Sequence, residues 1–204
     1  MTYSYIFKFI IVGDSSVGKS CILNRFVNGE YNRDLNTTIG VDYENKMISI
    51  NDTNIKLKIF DTAGAEKFDC IIKSYYRNIA GAIIVYDITN KSSFYNINNW
   101  IKKIKNENLC DIPIIIVGNK IDLNVNREVE FKDLENYASN KGYLYRETSV
   151  KYNTNIDELF FSLSEDILSK IERRILEVKR ENGIDISCYQ KTNKNRLKNK
   201  CCTN

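Results

Sequence analysis

Gly13-Asp14-Ser15-Ser16-Val17-Gly18-Lys19-Ser20 sets a glycine at each end of a short polar stretch and closes it with a lysine and a hydroxyl. Those residue types at that spacing suit the binding of a phosphate chain. A turn between a strand and a helix aims successive backbone N–H groups, and the positive end of the helix, at an anion. Gly13 and Gly18 admit backbone conformations that a side chain would obstruct. Lys19 is a point charge for the β- and γ-phosphates, and Ser20 offers a hydroxyl to Mg²⁺. The flanks supply the required elements. Tyr5 to Val12 is a strand-like run, and Cys21 to Val27 has the apolar face of a helix. The implied ligand is a nucleoside triphosphate.

Three more clusters follow in order, each after a strand-like run. Asp61-Thr62-Ala63-Gly64 comes directly behind Leu57-Lys58-Ile59-Phe60. An acid there can hold Mg²⁺ through water opposite Ser20, and Gly64 lets the backbone approach the γ-phosphate. Asn119-Lys120-Ile121-Asp122 ends the next apolar run but one. A carboxylate at Asp122 can accept from the guanine N1–H and exocyclic amine together. Adenine lacks that pair, so a buried Asp122 would go unpartnered against ATP. Asn119 and Lys120 would hold the base and the neighbouring loops. Thr148-Ser149-Val150-Lys151 can then present backbone N–H groups to the guanine O6.

Positioning these clusters requires an α/β sheet. Two alternating runs, Tyr43 to Ile50 and Ile55 to Phe60, flank Asn51-Asp52-Thr53-Asn54, which suits a hairpin turn and an antiparallel pair. Ala82 to Tyr86 and Ile114 to Val117 are near-continuous apolar runs, as in parallel strands covered on both faces. Tyr143-Leu144-Tyr145 is a weaker last strand. Helices are expected over Lys67 to Arg77, Ser92 to Asn106, Phe131 to Asn140 and Ile156 to Arg180. In them Trp100, Ile101, Ile104 and a long stripe from Ile156 to Ile171 recur at helical spacing and belong to the core. The alternation predicts a mostly parallel, doubly wound sheet with ligand loops at the C-terminal ends of its strands.

Bulk composition narrows the chemistry further. A chain of 204 residues suits one domain with a sizeable core. Its net charge of +4 does not imply nucleic acid. There is no histidine, which removes the commonest general base, the usual zinc site and every Ser–His or Cys–His mechanism. The single proline and the abundance of Asn, Ile, Lys and Tyr are ascribed to coding bias. No signal peptide or spanning segment is expected from the apolar pattern. Cys21, Cys70, Cys110 and Cys188 are scattered without metal-ligand spacing, which suits a reducing cytosol; Cys201 and Cys202 are adjacent.

Taken together the motifs resemble the small GTPases of the Ras superfamily over about Ile6 to Arg180. The likeness is greatest to the Rab branch, through Ile39-Gly40-Val41-Asp42-Tyr43, Lys56 to Phe60, Ser74-Tyr75-Tyr76-Arg77 and Val85 to Asn90. The resemblance implies a G domain over 1–180, with a six-stranded, mostly parallel sheet holding one antiparallel strand and flanked by five helices. Residues 181–204 would form a flexible basic tail carrying Lys191, Lys194, Arg196, Lys198 and Lys200.

The nucleotide contacts it implies are Gly13, Asp14, Ser15, Ser16, Val17, Gly18, Lys19, Ser20, Cys21, Tyr31, Thr38, Asp61, Gly64, Asn119, Lys120, Asp122, Ser149, Val150 and Lys151. Tyr31 would pack edge-on against the guanine, and Thr38 would bind Mg²⁺ and γ-phosphate only with GTP. The metal set is Ser20, Thr38 and, through water, Asp61; Lys19, Thr38 and Gly64 would serve the catalysis. Thr38 and Gly64 lie on either side of the γ-phosphate, so two polar segments can order with GTP and relax with GDP.

Ile39, Gly40, Val41, Asp42, Tyr43, Phe60 and Tyr75 form the expected effector and switch surface. Tyr43, Phe60 and Tyr75 would make an aromatic patch, although Phe60 suits partial core packing equally well. Tyr43 and Phe60 depart from the family's usual Phe and Trp.

Ala65 stands where the family has a glutamine that orients the attacking water, so intrinsic GTP hydrolysis should be slow. A cycling switch and a constitutively GTP-bound recruiter of effectors are both open; a P-loop ATPase or nucleotide kinase is disfavoured by Asn119 to Asp122. Cys201-Cys202-Thr203-Asn204 resembles the ending that takes two geranylgeranyl groups. The resemblance also implies an exchange factor, a GTPase-activating protein, an escort protein, a GDP-dissociation inhibitor and effectors. A monomer is expected on cytoplasmic membrane faces, with a cytosolic pool.

Overall fold

The computed structural model of the protein describes residues 3–31, 41–62, 75–108, 111–173, 176–178 and 188–190. A strand–turn–helix opens the chain: β1 (Tyr5–Val12), the glycine-flanked turn, and α1 (Lys19–Asn28). β2 (Val41–Ile50) and β3 (Thr53–Thr62) form the expected hairpin. Its turn residues Asn51 and Asp52 both have positive φ, 46° and 61°, the backbone twist that a two-residue hairpin needs. β4 (Gly81–Asp87) and β5 (Ile114–Asn119) are buried at every residue. β6 (Leu144–Thr148) completes a sheet of order β2-β3-β1-β4-β5-β6, parallel at every pairing except β2–β3.

Five α-helices are described around this sheet: α1, α2 (Lys91–Tyr95), α3 (Ile97–Glu107), α4 (Phe131–Ser139) and α5 (Ile156–Glu172). One core layer lies under α1 and α5, where Phe26 and Phe160 stack with ring centroids 3.8 Å apart. The other lies under α3 and α4 and takes in Trp100, Ile101, Ile104 and Leu134. Covering on both faces explains why β4 and β5 are unbroken apolar runs.

β1 sits between β3 and β4, with successive connections leaving it to opposite sides. The loop at its C-terminal end therefore opens at the switch point of the sheet, where such folds bind ligands.

Two helices differ from their sequence-based bounds. The single helix expected over Ser92 to Asn106 is divided at Asn96, and the Asn90 side chain caps the first piece by accepting from the Ser92 and Ser93 N–H groups. The last helix, expected to reach Arg180, ends at Glu172, one residue beyond the final apolar residue packed on the core, Ile171. Beyond it Leu176–Val178 pairs antiparallel with Cys188–Gln190. The helix expected over Lys67 to Arg77 falls mostly outside the described residues; Tyr75 and Tyr76 within it are helical.

Candidate nucleotide-binding site

The turn after β1 is shaped by two left-handed glycines. Gly13 has φ +148°, and a Cβ there would meet the Val85 carbonyl oxygen at 2.2 Å. Gly18 has φ +100°, and a Cβ there would meet Asn119 Nδ2 at 2.3 Å. Both positions are thus closed to any side chain, which leaves a cradle of backbone around Lys19. Lys19 is buried, and its Nζ donates to the carbonyls of Gly13 (2.9 Å) and Asp14 (2.7 Å). Burial pushes its pKa down to about 8, while Asp61 and Asp14 oppose that shift. Val17 is in the core, Ser15 and Ser16 are exposed, and Cys21 is half-buried with its thiol pushed up by burial.

Asp14 turns its carboxylate away from this cradle. Trp100 Nε1 donates to its Oδ1 (2.8 Å) and Asn96 Nδ2 to its Oδ2 (2.7 Å), which ties the turn to the α2–α3 junction. The helix break at Asn96 thus has a consequence at the site.

At the end of β3, the Ser20 hydroxyl donates to Asp61 Oδ2, although the two residues are 41 apart in sequence. Asp61 is 1% exposed. A hydroxyl and one carboxylate beside a phosphate cradle are hard oxygen donors of the kind Mg²⁺ takes, the rest being phosphate and water. Among the described residues there is no cluster of three or more His, Cys, Asp or Glu that could hold a metal ion. Thr38, Ile39, Gly40, Gly64 and Ala65 lie outside the described residues.

The base side is built from β5 and β6. Asn119 Nδ2 donates to the Val17 carbonyl (2.9 Å), and its Oδ1 accepts from the Thr148 hydroxyl (3.1 Å). One buried amide therefore joins the phosphate turn to both base loops. Lys120 is left-handed at φ 72°, and its Nζ pairs with Asp87 Oδ2 at 2.7 Å. Asp122 is half-buried rather than buried, and the Ser149 hydroxyl fixes it by donating to Oδ1 at 2.7 Å. Val150 and Lys151 meet α1 through Arg25, and the Arg25 guanidinium lies 6.0 Å above the Tyr31 ring.

Asp87, Trp100, Asn96 and Arg25 are the contributors that the sequence did not assign to the site. Asp87 ends a strand in the same way as Asp61 and Asn119, and that position was the available signal. The others act through contacts across long stretches of chain, which no local pattern records.

The aromatic patch is also assembled. The Tyr43 and Phe60 rings lie 5.2 Å apart, and the Phe60 and Tyr75 rings 5.5 Å. Phe60 packs partly on the core and lies between the two tyrosines, tilted to each by 32° and 46°. Val41 and Asp42 begin β2 beside it. Cys201 and Cys202 lie outside the described residues.

A phosphate turn at the switch point, a hydroxyl–carboxylate pair for a cation and an Asn-Lys-x-Asp base loop define a P-loop nucleotide-binding protein. Residues 8–169 match the model of the Ras family. The chain is 44% identical over 174 residues to the Ras-related protein Rab-8B of Pongo abelii, covering 85% of this chain and 84% of that one. It is 43% identical to human Rab-8B with the same coverage. Rab-2B of Dictyostelium discoideum matches at 43% over 171 residues, 84% of this chain and 85% of that one. The chain belongs to the Ras family and is a Rab-branch small GTPase.

Proposed function

We propose that the protein is a membrane-attached GTP/GDP switch of vesicle trafficking whose intrinsic GTP hydrolysis is impaired. The observation that supports the nucleotide reading is the Asn119 bridge, which joins the Val17 carbonyl of the phosphate turn to the Thr148 hydroxyl beside Ser149. Asp122, held by Ser149, would accept from the guanine N1–H and amine, and the Val150 and Lys151 N–H groups would meet O6. Lys19 would exchange its carbonyl partners for phosphate oxygens, and Ser20, Thr38 and, through water, Asp61 would hold Mg²⁺. Held there, the cation would supply positive charge to offset charge developing on the phosphate oxygens.

Ala65 sets the expected rate. A methyl group neither orients water nor steadies charge, and Glu66 stands at a family position that does not normally face the γ-phosphate. Intrinsic hydrolysis should fall roughly ten- to a hundredfold below the family's slow rate, about 1.4–2.7 kcal/mol of barrier. Activators that supply an arginine and a glutamine in trans would restore turnover. Ala65 also favours a second reading, a GTP-bound recruiter that never cycles.

The anchor would be two prenyl groups on Cys201 and Cys202, aided by the basic tail of residues 181–204. Stable attachment generally takes two such signals. Among the described residues no helix is long and apolar enough to cross a membrane, which suits peripheral attachment. Escort protein and GDP-dissociation inhibitor would shield the lipids in the cytosol, and effectors would read Tyr43, Phe60 and Tyr75.

Single-turnover hydrolysis of bound GTP tests the proposal, with ATP as the control nucleotide and Ala65→Gln alongside. The expected result is slow turnover, faster with the glutamine. An Ala65→Gln rate equal to the parent's would refute the water-positioning argument. No GDP from either protein with any activator would leave the recruiter reading standing.

A further inference from the structure

Arg25, on the last turn of α1, donates from each of its three guanidinium nitrogens to a backbone carbonyl. Nε donates to Val150 (3.0 Å), Nη2 to Lys151 (3.1 Å) and Nη1 to Gly29 (2.7 Å). The first two partners are more than a hundred residues away in sequence, 125 and 126. Arginine's planar fork suits this, because several donors are fixed in one plane by a single side chain.

The peptide joining Val150 to Lys151 is planar and trans, so its C=O and N–H point in opposite directions. With the Val150 carbonyl drawn toward α1, the Lys151 N–H must face the other way. In the same loop the Ser149 hydroxyl donates to Asp122 Oδ1, so the residue just before this peptide is tied to that carboxylate. The Tyr152 N–H donates to the same Ser149 hydroxyl at 3.2 Å, which fixes the next peptide as well. Arg25 therefore sets the direction of a donor without touching the ligand. Its guanidinium also lies 6.0 Å from the centre of the Tyr31 ring, which is expected to pack edge-on against the guanine.

We infer that Arg25 is a positioning residue for guanine selection, clamping the Val150–Lys151 peptide so that its N–H meets the base O6. The inference rests on the nucleotide reading proposed above. It specifies one edge of the base: Arg25 governs the 6-position, and Asp122 governs N1 and the 2-amine.

The two edges can be read separately with nucleotide analogues. 6-Thio-GDP keeps the N1–H and 2-amine and replaces O6 by a poorer acceptor. IDP keeps O6 and lacks the 2-amine. Affinities for GDP, 6-thio-GDP and IDP should be measured on the full chain and on Arg25→Ala and Arg25→Lys. The expected result is GDP binding roughly tenfold weaker in Arg25→Ala, the scale of losing one or two aligned hydrogen bonds. Its preference for GDP over 6-thio-GDP should shrink, while its preference for GDP over IDP stays at the parent value. Arg25→Lys, with one compact donor group in place of the fork, should fall between. An unchanged GDP to 6-thio-GDP ratio overturns the inference, and so do both ratios collapsing together, which would mean general loosening. Failure of the unmutated chain to bind GDP would instead overturn the nucleotide reading.

Discussion

At the scale of single residues, Lys19 carries the most consequential perturbation. Its pKa is lowered from 10.5 to about 8, chiefly by burial. A phosphate chain at Nζ would add negative charge and hold the proton to higher pH. Above about pH 8 the nucleotide-free protein has lost that proton and the complex retains it. Binding therefore takes up a proton, and affinity falls as pH rises. The expected weakening through this group is about tenfold between pH 7 and pH 9. Calorimetric titration with GDP at pH 8.5, in buffers of different ionisation heat, should show uptake of more than half a proton. Zero uptake would mean that Lys19 stays charged without its ligand. The folding linkage has the matching sign: the free protein gains stability from this group as pH rises from about 8 towards 10.5, because only the unfolded chain still holds the proton there.

At the scale of elements, β4 illustrates both what burial makes legible and what it conceals. Its apolar run marks a strand covered on both faces, and all seven residues are buried. The chemistry of one member is less obvious. The Tyr86 hydroxyl is buried and makes no hydrogen bond to any described residue, and burial pushes its phenol far up. An unsatisfied buried hydroxyl costs about 1–3 kcal/mol. Tyr86→Phe should therefore stabilise the protein by about 1 kcal/mol, seen as a higher urea midpoint at unchanged slope. A lower midpoint would show that the hydroxyl is satisfied.

The four motifs, the strand runs and the hairpin turn at Asn51-Asp52 were readable because each is a local pattern of residue types. The division of the third expected helix at Asn96 was not, since no glycine or proline marks it. Its cause is distant: Asn96 and Trp100 reach Asp14, 82 and 86 residues away. The early end of α5 was concealed because helix-forming residues continue past the last apolar contact, and packing rather than propensity decides where such a helix stops.

At the scale of the whole molecule, the sheet has two functional halves that meet at the β1–β4 pairing. The β2-β3-β1 half carries the phosphate turn and Asp61; the β4-β5-β6 half carries Lys120, Asp122 and Ser149. Side-chain ties already cross between them, among them Asn119 to Val17, Trp100 and Asn96 to Asp14, and Arg25 to Val150 and Lys151. A guanine nucleotide would add another, with its phosphates on one half and its base on the other. A ligand that binds only the folded state stabilises it by RT ln(1 + [L]/Kd), about 4 kcal/mol at a thousandfold excess over Kd. For a chain of this size that raises the melting temperature by roughly 10 °C. GDP with Mg²⁺ should do so and ATP should not, because only guanine gives Asp122 its pair of donors. A chelator should remove part of the gain, since Ser20 and Asp61 would then lose the cation that neutralises the phosphates. Asp122→Asn should abolish stabilisation by GDP and confer it on XDP, because an amide donates where the carboxylate only accepts. Equal shifts with ATP and GDP in the unmutated chain would show that the base loops play no part in selection. Loss of the GDP shift in Asp122→Asn without a gain for XDP would show that the substitution damages the site rather than changing its preference.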